Sequence, residues 1–436
     1  MEFTLLQLTD VLKISFRVDD LSLLFAGLTT VIWILAGSYS FGYMAHDKHK
    51  KRYAFFYLLV YFVLIALDFS ANLVTMYLFY EMMTLSSMPL ILHDMTEEAV
   101  SAAMKYLYYS IAGAFFALFG IFVLSQFAPS MEFIPGGSVG AAEMAAHGGL
   151  IKTGVFFMII GFGVKAGMFP LHAWLPIAHP VAPAPASAVL SGIIVKAGVL
   201  GIIRTVFYVA GAQNLRGGWV QNAWMTLALL TIVMGSMCAF QEKVLKKRLA
   251  YSTVSQVSYI LFGLSTMHPL GVTGALLHVV FHSVAKNLLF MGAGSIIHQT
   301  GKTNVTGLRG IGRRMPVTLG CFTFAALSLV GIPPFAGFFS KWYLANGSLS
   351  SGLTGFCWIG PAILLLSALL TAGYLFPISV EGFLPGNEYD KKEMKTCEAG
   401  LSMTIPMVIL ALLALGLGIF SSSLIEFLYA LAESIV

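Results

Sequence analysis

Apolar stretches long enough to cross a bilayer recur along nearly the whole of this 436-residue chain, and they constrain its fold more than any single motif. A membrane-spanning helix needs about 20 mostly apolar residues, and polar or Gly/Pro-containing breaks divide the sequence into about twelve such stretches. They lie near 20–43, 54–68, 71–92, 100–128, 150–170, 186–209, 222–240, 250–266, 271–297, 316–345, 358–380 and 401–432. Charged residues make up only 10% of the chain and hydrophobic residues 58%, whereas soluble domains carry roughly 25% charged residues. The expected fold is an all-α polytopic membrane bundle, and a soluble domain is excluded.

Lys and Arg are enriched in loops on the cytoplasmic side of a membrane protein. Alternate loops hold Lys48, Lys50, Lys51 and Arg52, then Lys243, Lys246, Lys247 and Arg248, then Lys302, Arg309, Arg313 and Arg314, then Lys391, Lys392 and Lys395. The opposite segments hold only Lys13, Arg17 and Arg216. This bias predicts a multi-pass protein of the inner (cytoplasmic) membrane with both termini outside. The net charge of +5 therefore reflects topology and implies no nucleic-acid partner. Glu2 and Asp10 stand where a signal peptide would be basic, so no signal peptide is expected. Cys238, Cys321, Cys357 and Cys397 are scattered without CxxC or Cys/His ligand spacing, so neither an iron–sulfur nor a zinc site is expected within the chain.

The remaining basic residues fall in or at the ends of the apolar stretches: Lys105, Lys152, Lys165, Lys196, Arg204, Lys286 and Lys341. An ionisable group at the bilayer centre costs about 2.5–3.5 kcal/mol on insertion scales. Lys105, Lys152 and Arg204 lie near helix ends and can snorkel to the surface; Lys165, Lys196, Lys286 and Lys341 have no such exit. The stretches also form two sets of five, residues 54–210 and 222–380, between an N-terminal segment with one helix (1–53) and a cytoplasmic loop with a final helix (381–436). An odd number of spans makes consecutive copies inverted. The fourth member of each set carries a lysine beside Gly and Pro, KAGMFPLHAWLP from Lys165 and GIPPFAGFFSK ending at Lys341, which points to broken helices lining an ion path.

Glu81 stands midway along the third stretch, so its carboxylate must be protonated or paired, with Lys165 the natural partner. A changing pair would tune the lysine as a releasable proton site; a static salt bridge is the alternative. In HVVFHSVAK, His278, His282 and Lys286 recur at i, i+4 spacing on one face, rising about 6 Å per step. Imidazole can pass a proton between its nitrogens, so this face can form a proton wire, or else a set of core polar groups. Haem ligation would need a further histidine, and His172 and His179 read as loop residues. Lys196 can bridge Lys165 to the second set, and Lys341 can end the path; helix packing is the alternative for each. The Pro-rich segment from His172 to Ser187 reads as a constrained connection, and Met82, Met83 and Met88 as packing. Capping by Thr96 accounts for the acidic Asp94, Glu97 and Glu98.

The segments YLFYEMM, GFGVKAGMFPLHAWLPIAHPVAPAPASAVLSGIIVKAG, KKRLAYSTVSQVSY, HVVFHSVAKNLLFMGAGSIIHQTG and GIPPFAGFFSKW resemble the antiporter-like, proton-translocating subunits of respiratory complex I. The same family supplies Mrp-type Na⁺/H⁺ antiporters, energy-converting membrane-bound hydrogenases and formate hydrogenlyases. The resemblance implies that Glu81 modulates Lys165, that Lys196 is a bridging lysine, that His278, His282 and Lys286 form the central relay, and that Lys341 is the terminal site. The family region begins almost at once, at RVDDLSLLF near Arg17, without the N-terminal helix pair common in members. A neighbouring subunit is expected to supply that pair, and a hydrogenase-type or Mrp-type complex is favoured over a standard complex I.

The expected function is translocation of H⁺, alone or with Na⁺, by one subunit of a larger assembly. No cofactor is expected in this chain; partner membrane subunits, and a peripheral redox arm if there is one, would carry iron–sulfur clusters or a metal centre. The rival readings are a self-sufficient antiporter and a structural or quinone-binding anchor.

Overall fold

Helix breaks and caps set the architecture of the computed structural model, which describes residues 2–7, 9, 13–386 and 396–436. Asp10 and the loop lysines Lys391, Lys392 and Lys395 lie outside them. The fold is helical with one departure from the all-α expectation, an antiparallel hairpin of β1 (Glu2–Gln7) and β2 (Lys13–Arg17). The alternating KISFR pattern explains it, since residues of a strand point to opposite faces in turn. The hairpin docks through its backbone: the Arg17 amide donates to the Phe69 carbonyl at 2.8 Å, and the Ala71 amide to the Ser15 carbonyl at 3.0 Å.

Among the described residues fifteen helices follow, apart from one-turn pieces in connections. Helix α1 is Asp20–Tyr43, opened by a capping box between Asp19 and Ser22. Next come α2 (Lys50–Asp68), α3 (Leu73–Ile91, capped by Asn72) and α4 (Glu97–Phe127, capped by Thr96). Then come α5 (Ala141–Lys165), α6 (Leu175–Val181) and α7 (Ala184–Ala210). The second half holds α8 (Trp219–Gln241), α9 (Leu245–Ser265), α10 (Pro269–Thr300), α11 (Pro316–Val330), α12 (Gly337–Ser350) and α13 (Phe356–Phe383). Helices α14 (Leu401–Ile419) and α15 (Ser422–Ile435) end the chain; the single stretch expected over 401–432 is thus two helices.

Eight described helices are long and apolar enough to cross a bilayer: α1, α4, α5, α7, α8, α10, α13 and α14. The chain is a multi-pass integral membrane protein. In α7 and α10 the whole apolar window is buried, against 39–50% in the other six, so these two helices have protein on every side and the others face outward.

Helix α9 is 21 residues long but too polar to read as a span. Its Ser252, Thr253, Ser255, Gln256 and Ser258 are all fully buried, and neighbouring helices satisfy the hydroxyls: Thr253 meets Ser191 at 2.6 Å, and Ser255 meets Ser236 at 2.7 Å. It begins earlier than its hydropathy suggests because Lys246 and Arg248 fold inward. The Lys246 amine donates to the Ala182 carbonyl at 2.6 Å, and the Arg248 guanidinium to the Tyr374 carbonyl at 2.9 Å.

Two helices end in sharp turns that carry a buried or half-buried lysine on one flank. The chain turns after Lys165 through Gly167, at φ +76°, and after Val330 through Gly331, at φ +90°; positive φ strains any residue with a Cβ. Cis peptides precede Pro170 and Pro334 at the same two turns. The apolar stretch read as 316–345 is therefore α11 and α12, and that read as 150–170 ends at Lys165.

Outside the bundle, Glu132 pairs with Lys13 and sits 3.5 Å from Arg17, tying the connection after α4 to the hairpin. The Lys13 ammonium hydrogen-bonded to it holds the Glu132 carboxyl below its ordinary value. A depressed carboxyl contributes stability in full above its unfolded pKa of about 4.3 and loses it as pH falls through the lower folded value. Hydrogen exchange in β1 and β2, corrected for intrinsic rates, should therefore accelerate on acidification below about pH 4 in the wild type. Glu132→Gln should exchange faster at neutral pH and show little of this acid dependence.

Candidate functional site

The last turn of α5 ends on Lys165, which is fully buried. Its amine donates to three hydroxyls: Thr84 of α3 at 2.9 Å, Tyr106 of α4 at 2.9 Å and Ser110 of α4 at 2.8 Å. An ammonium has three hydrogens, so this set uses all of them. The Tyr106 ring lies 4.3 Å from the amine, adding a cation–π contact. Helix α4 comes this close because small residues face each other. A Cβ on Gly113 would lie 2.6 Å from the Gly161 carbonyl oxygen and 2.9 Å from Val164, closer than real side chains approach.

Glu81 does not pair with Lys165 directly, contrary to the sequence reading. It sits one turn before Thr84 on α3, half-buried, and its Oε1 has no hydrogen-bond partner. Thr84, Tyr106 and Ser110 occupy the positions an ion pair would need, so Glu81 acts on the lysine only through space.

Lys196 lies on α7 just after a π-helical stretch, Leu190–Ile194. Such stretches shift the backbone ladder and are frequent at functional sites. Its amine donates to the Ser191 carbonyl at 3.0 Å and meets Nδ1 of His282 on α10 at 2.6 Å. The neighbouring Gly198 lets α5 approach, since a Cβ there would lie 3.2 Å from that of Lys165. The bridging lysine thus joins the histidine helix at its middle residue, with Lys165 on the adjoining helix.

Along α10 the rings of His278 and His282 are 5.8 Å apart, and Nδ1 of His278 is 2.9 Å from the Ser340 hydroxyl on α12. The next residue is Lys341, whose amine donates to the Leu329 and Val330 carbonyls at 2.8 and 2.6 Å. These are free carbonyls at the C-terminus of α11, where a cation is favoured. The Tyr259 ring lies 5.3 Å from the His278 ring and 5.4 Å from the Lys341 amine. Lys286, one turn beyond His282, donates to the Leu249 carbonyl of α9 at 3.0 Å. The structure therefore brings buried Lys196, His282 and His278 and half-buried Lys341 into one series, with Lys165 and Lys286 at its margins.

His179 belongs beside them and was missed as a loop residue. The segment from His172 to Ser187 is largely interior: His179 is fully buried on α6, stacked at 4.8 Å on Phe290 of α10, and neither ring nitrogen has a protein partner. Lys246 and Lys286 both act on it electrostatically. The signal in the sequence is HAWLPIAHP, which follows the helix ending at Lys165 and itself forms α6. Arg204 also departs from expectation. It does not snorkel but holds both carboxylate oxygens of Asp19 at 2.7 and 2.8 Å, itself 1% exposed. Lys105 is exposed and Lys152 half-buried.

Comparison with known sequences identifies the chain. The family profile described as "NADH:quinone oxidoreductase/Mrp antiporter, TM" matches residues 70–371, which include every residue of the series, and the "NADH-Ubiquinone oxidoreductase (complex I), chain 5 N-terminus" profile matches residues 8–54. The chain belongs to the NADH:quinone oxidoreductase/Mrp antiporter transmembrane family. A relative in this family, NADH-quinone oxidoreductase subunit N of Desulforudis audaxviator, is 33% identical over 92% of this chain and 80% of its own length. Hydrogenase-4 component B of Escherichia coli is 31% identical over 76% of this chain, but the match spans only 50% of that longer protein. The Mrp complex of Dietzia sp. contains a chain of the same fold, with a TM-score of 0.86 at 20% identity, over 100% of this chain and 87% of that one.

Replacing Gly113 with Val should separate α4 from α5 and pull Tyr106 and Ser110 from Lys165. Overpacking of this kind costs about 1–3 kcal/mol, to be read as a lower unfolding temperature in detergent, with Gly113→Ala intermediate.

Proposed function

We propose that this chain conducts H⁺, or exchanges it for Na⁺, as one subunit of a redox-driven pump or Mrp-type antiporter in the cytoplasmic membrane. The observation that carries this reading is the series Lys196, His282, His278, Ser340 and Lys341, which crosses from α7 through α10, the two helices with no lipid face, to the half-buried Lys341 on α12. Lys165 enters the series through its packing on α7. Ionisable groups are costly at this depth and mark ion pathways in membrane proteins. Nε2 of both relay histidines lacks a protein partner, so each offers a place for a water molecule to carry a proton onward.

In this reading helices α2 to α7 and α8 to α13 are two inverted five-helix repeats, each with one broken helix, α5/α6 and α11/α12. The positive-φ glycine at each break, Gly167 two residues after Lys165 and Gly331 beside the Lys341 side chain, supports the correspondence. Counting each broken helix as one crossing and α14 with α15 as another gives the twelve spans expected, with both termini outside. Protons reach the series from the basic face past Lys246 and His179 to Lys286. Glu81 adjusts Lys165 electrostatically. The chain holds no cofactor; partner membrane subunits bear the redox centres, iron–sulfur clusters or a metal, if a redox reaction drives the pump.

The test is ion translocation by the intact complex in sealed vesicles, with assembly checked for each variant. Lys165→Ala and Lys341→Ala should each assemble and lose at least tenfold in initial pumping rate, equivalent to about 1.4 kcal/mol in the barrier. His179→Ala should slow pumping while leaving both lysine sites intact. Wild-type pumping by both assembled lysine variants would make the chain a structural or quinone-binding anchor instead.

A further inference from the structure

On the face that carries Lys50, Lys51 and Arg52, the connection between α1 and α2 meets the connection between α3 and α4. Asp47 from the first and His93 and Asp94 from the second each present one donor atom, all within 4.8 Å of one another. They line a cavity of about 330 Å³ together with His46, Lys48, His49 and Met95. We propose that Asp47, His93 and Asp94 form a divalent transition-metal site of the Zn²⁺ class, closed by His46 or His49.

The geometry already approaches that of a bound ion. Zn²⁺ holds nitrogen and oxygen ligands at about 2.0–2.2 Å, so ligands along one edge of its tetrahedron lie about 3.3 Å apart. Nε2 of His93 and Oδ2 of Asp47 are 3.2 Å apart. Both ligands are held in place. His93 is 3% exposed, the Tyr53 ring packs edge-on against its imidazole at 5.5 Å, and Arg52 hydrogen-bonds its carbonyl. The His49 amide donates to Oδ1 of Asp47 at 2.6 Å, and Oδ2, hydrogen-bonded to Nε2 of His93, is the oxygen directed at the other ligands. Fixed second partners of this kind are what orient metal ligands.

The donor set selects the class of ion. Mixed imidazole and carboxylate ligands suit Zn²⁺ and its neighbours, whereas Mg²⁺ and Ca²⁺ take oxygen-only sets. Two carboxylates balance a divalent charge, and the long stem of Lys48 lets its ammonium turn to solvent. Cysteine spacing gives no sign of this site, which two loops make from residues 46 positions apart, Asp47 and His93.

The consequence for activity rests on the proposed ion-conducting function. Asp94 acts electrostatically on Lys246, which leads to His179. An ion at Asp94 cancels that charge and pins the two loops together, so occupancy should slow ion uptake from this face.

Binding is tested apart from transport. The purified complex, stripped with a chelator, is dialysed against Zn²⁺ and, separately, against Mg²⁺, and bound metal is counted per copy of this chain. Wild type should retain one more Zn²⁺ than His93→Ala, and Asp94→Asn should weaken that binding at least tenfold. If His93→Ala does not assemble, Asp94→Asn carries the comparison, since Asp94 is exposed. X-ray absorption should show imidazole in the ligand shell. Equal Zn²⁺ content in wild type and both variants, or displacement by equimolar Mg²⁺, would mean an adventitious ion only and overturn the site. In vesicles, Zn²⁺ should slow transport by wild type and spare Asp94→Asn. Site-specific binding without that slowing would remove the regulatory role, and absence of any ion transport would count against the functional reading instead.

Discussion

An amine inside a hydrocarbon slab must find acceptors for its hydrogens, and the interior of this protein supplies them to four lysines, in full only for Lys165. Lys165 takes three hydroxyls. Lys196 takes a carbonyl beside a π-helical stretch and an imidazole, Lys286 takes a carbonyl of α9, and Lys341 takes two carbonyls released where α11 stops. A regular helix spends its carbonyls on its own ladder. Interrupting the ladder frees acceptors at membrane depth, and such irregular backbone is tolerated only where protein or water surrounds it. The breaks, the π-helical stretch and the lysines they serve are parts of one solution.

Surrounding the breaks requires helices with no contact to lipid, and α7 and α10 fill that role. Their enclosure allows α9 to be polar on nearly every side, because hydroxyls from α7, α8 and α13 meet its own. Close approach is the other requirement. Glycines at 113, 161 and 198 bring α4, α5 and α7 within contact, as is usual where packing rather than hydrophobic exclusion drives helix association in membranes.

Much of this was legible along the chain. Hydropathy located the helices, some to within a residue or two, as for α1 and α7. Glycine and proline marked both breaks, and i, i+4 spacing aligned His278, His282 and Lys286. What was not legible involved polar residues that fold inward. Lys246, Arg248 and His179 look like loop residues because hydropathy cannot tell a solvated charge from one that caps a neighbouring helix. Arg204 looked free to snorkel because nothing in one dimension brings Asp19 to it. Glu81 and Lys165 look like a pair because opposite charges attract, yet three hydroxyls take the hydrogens of the lysine amine.

The sequence by itself determined that this chain is a membrane protein, where its helices run, and which ionisable residues must be sheltered, because the cost of polar groups in lipid depends on composition and spacing alone. Tertiary structure decided which of those residues meet. That Lys196 touches His282, that Ser340 links His278 to the turn holding Lys341, and that Asp47 faces His93 all follow from the packing of distant helices and loops, and hydrogen bonds form only over distances of about 3 Å. Periodicity specifies the face of a helix, but only packing chooses the neighbour that face will meet.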